Sequence, residues 1–320
     1  MKRVKVRYND PINYKNIEFI YKKIRKGIRN KRKLVEFDNF YTANISHIYY
    51  LLLTKSYVCG NYNVFKIYEP KERIIMSQDI GNKIVNHFVA YFYLMPILEL
   101  SMIDANVATR KGMGTRYGLN KLKKYLNEYK NDEFYILKCD IKGYFYNIDH
   151  EVLKNMLRKK IYDLDILNLV FNIIDSTQSG LPIGNMSSQI LAIYYLSDLD
   201  HYIKEHLHIK GYVRYMDDII LMERSKDYLQ LCLYVMELQL SRLKLKLNNK
   251  TTIFKGNNGI NFLGYRFIFR NNKLLVLISS KNRRKILLKY KLYKKGLISY
   301  QSIISYNGFI GYSINKYCVL

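Results

Sequence analysis

"GYVRYMDDIILM" occupies residues 211–222 and sets two carboxylates, Asp217 and Asp218, side by side. Apolar, β-prone residues flank the pair on both sides, so the stretch reads as two strands meeting at a turn. Adjacent like charges are expensive to bury without a cation. A tight hairpin normally takes Asn-Gly or Asp-Gly at its tip, and this one has no glycine. A turn that keeps charge where glycine is easier is a hint of function. The competing reading is an ordinary turn with surface aspartates, which describes most isolated Asp-Asp pairs. The rest of the chain decides between them.

A third carboxylate lies in "EFYILKCDIKGYF", residues 133–145. Read as a strand, its period of two puts Phe134, Ile136, Lys138 and Asp140 on one face. Tyr135, Leu137, Cys139 and Ile141 take the other. A strand ending in Asp140 and a hairpin carrying Asp217 and Asp218 can meet as sheet neighbours. Three carboxylates gathered in this way make an oxygen-only site for two divalent cations, and that donor type favours Mg²⁺. Two such ions stabilise the attacking and leaving oxygens of an in-line phosphoryl transfer. Asp140, Asp217 and Asp218 are therefore the catalytic candidates, with Ile141 grouped beside them at the metal site.

Composition agrees with a nucleic-acid substrate. The 320 residues are 49% hydrophobic, enough to fold around sizeable cores. Lys and Arg number 53 against 26 Asp and Glu, a net charge of +27 spread along the whole chain. That excess points to a polyanionic partner. A membrane is the rival polyanion, but the longest apolar run, "FVAYFYLMPIL" (88–98), is short for a span and contains Pro96. The N-terminus lacks the apolar core of a signal peptide. Four scattered cysteines in no metal-ligand spacing suit a reducing cytoplasm.

Outward from the two acidic stretches, the pattern gives mixed α and β elements. "NVFKIYEPKERIIMSQ" (63–78) reads as a β-hairpin around "EPKE". Helices are expected over 40–57 and over 79–100, the latter kinked or ended by Pro96. Asp149 reads as the N-cap of a helix with Glu151 in its first turn. "SGLPIGN" (179–185) is a turn-rich loop. One long amphipathic helix is expected over 186–207, with Asp198 and Asp200 on its solvated side. A helix over 226–245 follows, then a strand component at 260–267. The last 40 residues read as basic and helical.

These residues resemble the reverse transcriptase family, in its motif order, from about residue 60 onward. "YEPKERII" resembles the fingers hairpin, "LKCDIKGYF" the first palm motif, and "YMDD" the family's signature pair. "LKLNNKTTIF" with Lys250 is similar to the next palm motif, and "INFLGY" to the primer grip. The resemblance implies an α+β right-hand polymerase fold, with a ferredoxin-like antiparallel palm sheet. The division expected from it is 1–130 for the basic N-terminal region and fingers and 131–270 for the palm, with inserted fingers helices at about 150–180. Residues 271–320 are then a helical thumb. It also implies Lys71 and Arg73 as triphosphate contacts and Phe145 as the ring under the sugar that excludes a 2′-hydroxyl. With few residues after Tyr265, neither an RNase H domain nor a maturase extension is expected.

One stretch departs from the common family pattern. "IGNMSSQ" (183–189) has Ile183 where most members have glutamine and Gln189 where they have proline, while Gly184 and Ser188 are kept. The variant resembles the reverse transcriptases of diversity-generating retroelements, which copy a template RNA into cDNA with errors opposite adenine. That likeness implies dNTPs, template RNA and the RNA/cDNA hybrid as partners, together with a small basic accessory protein. The alternative is an antiphage-defence reverse transcriptase acting on a dedicated non-coding RNA. A non-catalytic RNA-binding scaffold is a third reading, opposed by the three intact aspartates.

Overall fold

Helix caps and apolar spacing fix the first elements. In the computed structural model, which describes residues 6–28, 30–68 and 72–304, Asn13 caps α1 (Tyr14–Arg25) by accepting from Asn16 N at 2.9 Å. Lys22, Lys23 and Arg25 sit in its last turn, where cations suit the helix dipole. Ile17, Ile20, Tyr21 and Ile24 form its buried stripe at helical spacing. α2 (Lys31–Asn39) and α3 (Tyr41–Leu53) follow. β1 (Asn63–Ile67) and β2 (Arg73–Ser77) then pair antiparallel, Asn63 opposite Ser77 and Ile67 opposite Arg73. The hairpin is the expected one. Its tip, with Lys71, lies outside the described residues.

α4 (Ile80–Phe88) starts at the Asp79 cap and runs on through a π-helical turn, Val89–Leu94, into α5 (Met95–Leu98). Pro96 therefore does not end the helix. Its ring lacks an N–H and crowds the preceding turn, and the widened π turn just before it absorbs both effects. The helical run reaches Ser101, and its 22 residues are long and apolar enough to cross a membrane, contrary to the estimate from the shorter stretch. More than half of it is buried inside the protein, with Phe88, Val89, Ala90, Tyr93 and Leu94 fully so. It behaves as a core helix.

The next elements are α6 (Thr115–Tyr129), β3 (Tyr135–Asp140), α7 (His150–Arg158) and α8 (Leu164–Ile174). Asp149 caps α7 as expected, accepting from Val152 N at 2.9 Å. The single helix expected over 186–207 is broken. α9 (Met186–Tyr195) stops at Leu196, α10 (Ser197–His201) restarts, and a π turn covers Tyr202–His206. Asp198 is exposed, but Asp200 is fully buried, contrary to expectation. After these come β4 (Gly211–Tyr215), β5 (Asp218–Glu223), α11 (Lys226–Arg242), β6 (Thr252–Lys255), β7 (Ile260–Phe262) and β8 (Tyr265–Arg270). Within 271–320, expected to be helical, β9 (Lys273–Ile278) is a strand and α12 (Ser280–Lys294) is the expected helix, while residues 305–320 lie outside the described residues.

By packing, the chain divides into two units. One holds Met1–Thr109, Ile141–Tyr202 and Met236–Asn248; the other holds Arg110–Asp140, Ile203–Val235 and Asn249–Leu320. The first is helical, built around the 80–101 run, α1 and α9, with the β1–β2 hairpin. The second carries a four-stranded antiparallel sheet in the order β4-β5-β3-β6 and a three-stranded sheet β7-β8-β9. Chain order β3, β4, β5, β6 in that spatial order, with helices between β3 and β4 and between β5 and β6, is the ferredoxin-like arrangement. α6 lays Leu119, Leu122, Leu126 and Tyr129 into its core, and Tyr129 Oη donates to Met222 O at 3.2 Å.

Candidate active site

The register of the palm sheet pairs two of the acids across strands and leaves the third in the adjoining turn. β3 pairs with β5 so that Asp140 stands directly opposite Asp218. β4 pairs with β5 so that Tyr215 faces Asp218, which leaves Met216 and Asp217 as a two-residue turn. Met216 has φ +56. A positive φ at the first position of such a turn is where glycine is preferred, so a methionine there is strained. Arg214 supplies the counterweight. Its side chain is fully buried, and Nη1 donates to Met216 O at 2.9 Å.

Charge and burial at Asp218 oppose each other. Burial pushes its carboxyl up to about 6, against the pull of Lys138, and Asp217 and Asp140 push the same way as burial. Lys138 Nζ lies 3.3 Å from Asp218 Oδ1, 3.4 Å from Oδ2, and donates to Asn261 O at 2.6 Å. Although Oδ1 is within ion-pair reach, it is buried and makes no hydrogen bond. A buried anionic oxygen without a hydrogen bond, in an oxygen-only donor set, fits a hard divalent cation. As placed, no three His, Cys, Asp or Glu side chains among the described residues converge into a metal cage. Ile141 is a buried hydrocarbon bridged to Leu247, so only its main chain has a donor to offer. Lys250 is exposed in the segment before β6.

The other predicted residues among those described belong to the helical unit, where hydrogen bonds and close approaches link the segments carrying Phe145, Ile183 and Gly184 to β2. Phe145 is half-buried in a 3₁₀ turn, Tyr144–Asn147, and its carbonyl accepts from Leu181 N at 2.7 Å. Gly180, at φ +65, presses on that turn: a Cβ there would sit 2.5 Å from Phe145 O. Ile183 is half-buried, and its carbonyl accepts from Met76 N of β2 at 3.0 Å. Gly184, at φ +135, leaves a Cβ only 2.8 Å from Met76 O. Tyr146 Oη accepts from Ile74 N at 3.2 Å, next to Arg73 at the exposed start of β2. Gln189 is half-buried in the first turn of α9.

Sequence reasoning missed several members. Lys138 shared a period-two face with Asp140, so its signal was present. Arg214 stood inside the quoted stretch, but a charged residue in a strand does not announce its burial. Gln78, Asn86, Asn185 and Ser187 are buried polar residues behind the 183–187 loop, and no local pattern marks them.

Residues 73–267, more than half of the chain, match the reverse transcriptase (RNA-dependent DNA polymerase) family. The chain belongs to that family. It is 24% identical to Protein YkfC of Escherichia coli K12, over 43% of this chain and 48% of that one. It is 33% identical to the group II intron-encoded protein LtrA of Lactococcus lactis, over 22% of this chain and 13% of that one. The chain thus spans less than half the length of either relative. Among solved structures, it is similar to an apo telomerase from Candida tropicalis truncated from its C-terminal domain. There the TM-score is 0.52 at 15% identity, over 69% of this chain and 55% of that one. It is likewise similar to a Candida albicans telomerase in complex with a fragment of telomeric RNA. That match has a TM-score of 0.53 at 12% identity, over 75% and 52% of the two chains. At these identities the likeness concerns the fold, which is the right-hand polymerase fold expected from the sequence.

Proposed function

We propose that this reverse transcriptase chain is an RNA-directed DNA polymerase that extends a primer with dNTPs on a template RNA, within a diversity-generating retroelement. The observation that carries the polymerase reading is the cross-strand pairing of Asp140 with Asp218, beside the Asp217 turn, around a buried oxygen that has no hydrogen bond. Asp140, Asp217 and Asp218 would hold two Mg²⁺ ions, with the main chain at Ile141 beside them. When bound, such ions neutralise charge on the attacking 3′-oxygen and on leaving pyrophosphate.

The remaining roles fall to this chain's own groups. Arg214 holds the strained turn and so fixes where Asp217 projects. Lys138 balances Asp218. Arg73 and Lys71 offer positive charge to the triphosphate, and Lys250 offers more from the segment before β6. Phe145 blocks a ribose 2′-hydroxyl by its bulk. Ile183 presents hydrocarbon where most of the family has an amide, so the pocket offers the paired nucleotide no hydrogen bond there. That substitution, within "IGNMSSQ", is what favours the diversity-generating role and its small basic accessory protein. In this reading residues 1–130, 131–270 and 271–320 serve as fingers, palm and thumb. The Lys and Arg excess binds the RNA and RNA/cDNA backbone, with strong salt dependence.

Primer extension on an RNA template tests the polymerase reading. Asp217→Asn abolishes extension and leaves RNA affinity within about threefold, because phosphate contacts supply most of that affinity. A folded Asp217→Asn protein that extends normally overturns the assignment. Sequencing RNA that co-purifies with the protein, and cDNA made from it, tests the retroelement role. Adenine-directed errors support it; faithful cDNA from a structured non-coding RNA supports the defence role instead.

A further inference from the structure

Behind the Ile183 loop runs a chain of buried neutral side chains that the catalytic scheme does not use. Gln78, 3% exposed, follows directly on β2. Its Nε2 donates to Cys59 Sγ at 3.0 Å and to Gly60 O at 3.3 Å. Its Oε1 accepts from Asn86 Nδ2 of α4 at 2.6 Å. Asn86, 1% exposed, also donates to Asn82 O at 3.2 Å and accepts the Ser187 hydroxyl on Oδ1. Ser187 is fully buried in the first turn of α9. Each amide is thereby oriented, donor end toward donor role and acceptor end toward acceptor role. A parallel branch holds Asn185, whose Nδ2 donates to Tyr62 Oη at 3.1 Å while Tyr62 meets Ser176 Oγ at 2.8 Å.

Both ends of this chain meet the nucleotide-side patch. Gln78 lies two residues after Met76, whose N–H bonds to the Ile183 carbonyl at 3.0 Å. Ser187 lies three residues after Gly184, which packs against Met76 O. The chain from Gln78 through Asn86 to Ser187 therefore closes a ring with the Met76–Ile183 bond. Such a ring fixes the distance between the hairpin exit and the loop. Apolar contacts are non-directional, so they restrain the loop's position less sharply than directed hydrogen bonds do.

We propose that the Gln78–Asn86–Ser187 chain is a positioning device for nucleotide binding: it sets how closely Ile183 and Gly184 approach the incoming nucleotide. The inference rests on the polymerase reading. It predicts a defect in nucleotide binding, separate from the chemical step.

Steady-state single-nucleotide extension on an RNA template tests it. Ser187→Ala removes one hydroxyl with little change of shape and raises KM for dNTP about fivefold, with kcat within about twofold. Gln78→Met cuts the other end and gives a similar rise. Because both break one chain, the double variant shows far less than the product of the two effects. Tyr194→Phe, which removes a buried hydrogen bond of the same helix to Met156 O, is the control. It lowers the melting temperature and leaves KM unchanged. If Ser187→Ala and Gln78→Met are folded and behave as Tyr194→Phe does, or if their effects on KM multiply, the inference falls and the polymerase reading stands. A wild-type protein that extends no primer under any template and Mg²⁺ condition overturns that reading, and the inference with it.

Discussion

Removing the charge of Asp218 should stabilise the protein while destroying its proposed activity. The ionised carboxylate is disfavoured by burial, and its pKa is pushed up to about 6 from 3.8. A folded-state pKa above the unfolded one means that the stabilising contribution is complete below pH 4. It is lost as pH rises through 6. Two units correspond to about 3 kcal/mol at pH 7.5. The side chain keeps 27% of its surface exposed, so screening trims this to about 2 kcal/mol. At roughly 2 °C per kcal/mol for a chain of this size, Asp218→Asn melts about 4 °C above wild type at pH 7.5 in EDTA. At pH 4 the gap nearly closes. Adding millimolar Mg²⁺ raises the wild-type melting temperature more than the variant's, because a cation offsets a repulsion that the variant no longer has. Differential scanning calorimetry across pH, with EDTA or Mg²⁺, reads both effects. If the variant melts at or below wild type at pH 7.5 in EDTA, and Mg²⁺ shifts both equally, the electrostatic account of this site is refuted.

Two other substitutions address the proposed nucleotide pocket. Phe145→Ala opens the space that a ribose 2′-hydroxyl needs, and rNTP incorporation relative to dNTP rises at least tenfold, about 1.4 kcal/mol of lost discrimination; an unchanged ratio with dNTP activity intact makes Phe145 a packing residue only. Ile183→Gln restores a donor and an acceptor worth about 0.5–1.5 kcal/mol, and deep sequencing of cDNA from one fixed RNA should show two- to tenfold fewer errors opposite adenine, with smaller changes at other bases. Equal, low adenine error in both proteins removes the reason for preferring the diversity-generating role over the defence one.

The carboxylate pairing was legible because strand periodicity is a strictly local rule. Asp140 ends one β-prone run and Asp218 begins another, so antiparallel pairing at full length puts them opposite each other. Asp149 was legible as a cap for the same reason. β9 was missed because "KLLVLI" fell in the stretch, 271–320, that the family resemblance implied as a helical thumb. Its signal was the Asn271-Asn272 pair, whose φ values of +48 and +57 form the two-residue hairpin turn that asparagine tolerates. The break at Leu196 and the burial of Asp200 had no such signal. Both depend on which segments pack around the helix, and amphipathic spacing alone cannot report that. The Gln78–Asn86–Ser187 chain was equally invisible, since its partners are up to 101 positions apart.

Two departures from local rules meet at the β4–β5 turn. Met216 takes a conformation suited to glycine, and Asp218 keeps a charge where burial opposes it. Each is compensated by a neighbour that would itself be costly alone. Arg214 is a fully buried guanidinium whose bond to Met216 O restrains the turn. Lys138 is a half-buried ammonium held between Asp218 and Asn261 O. Strain and compensation of this kind cost of order 1–3 kcal/mol apiece, and a hydrophobic turn with Asn-Gly at its tip avoids all of it. The arrangement leaves a buried carboxylate oxygen on Asp218 without a hydrogen bond, and in the proposed two-cation phosphoryl transfer that oxygen would be the one offered to a metal ion.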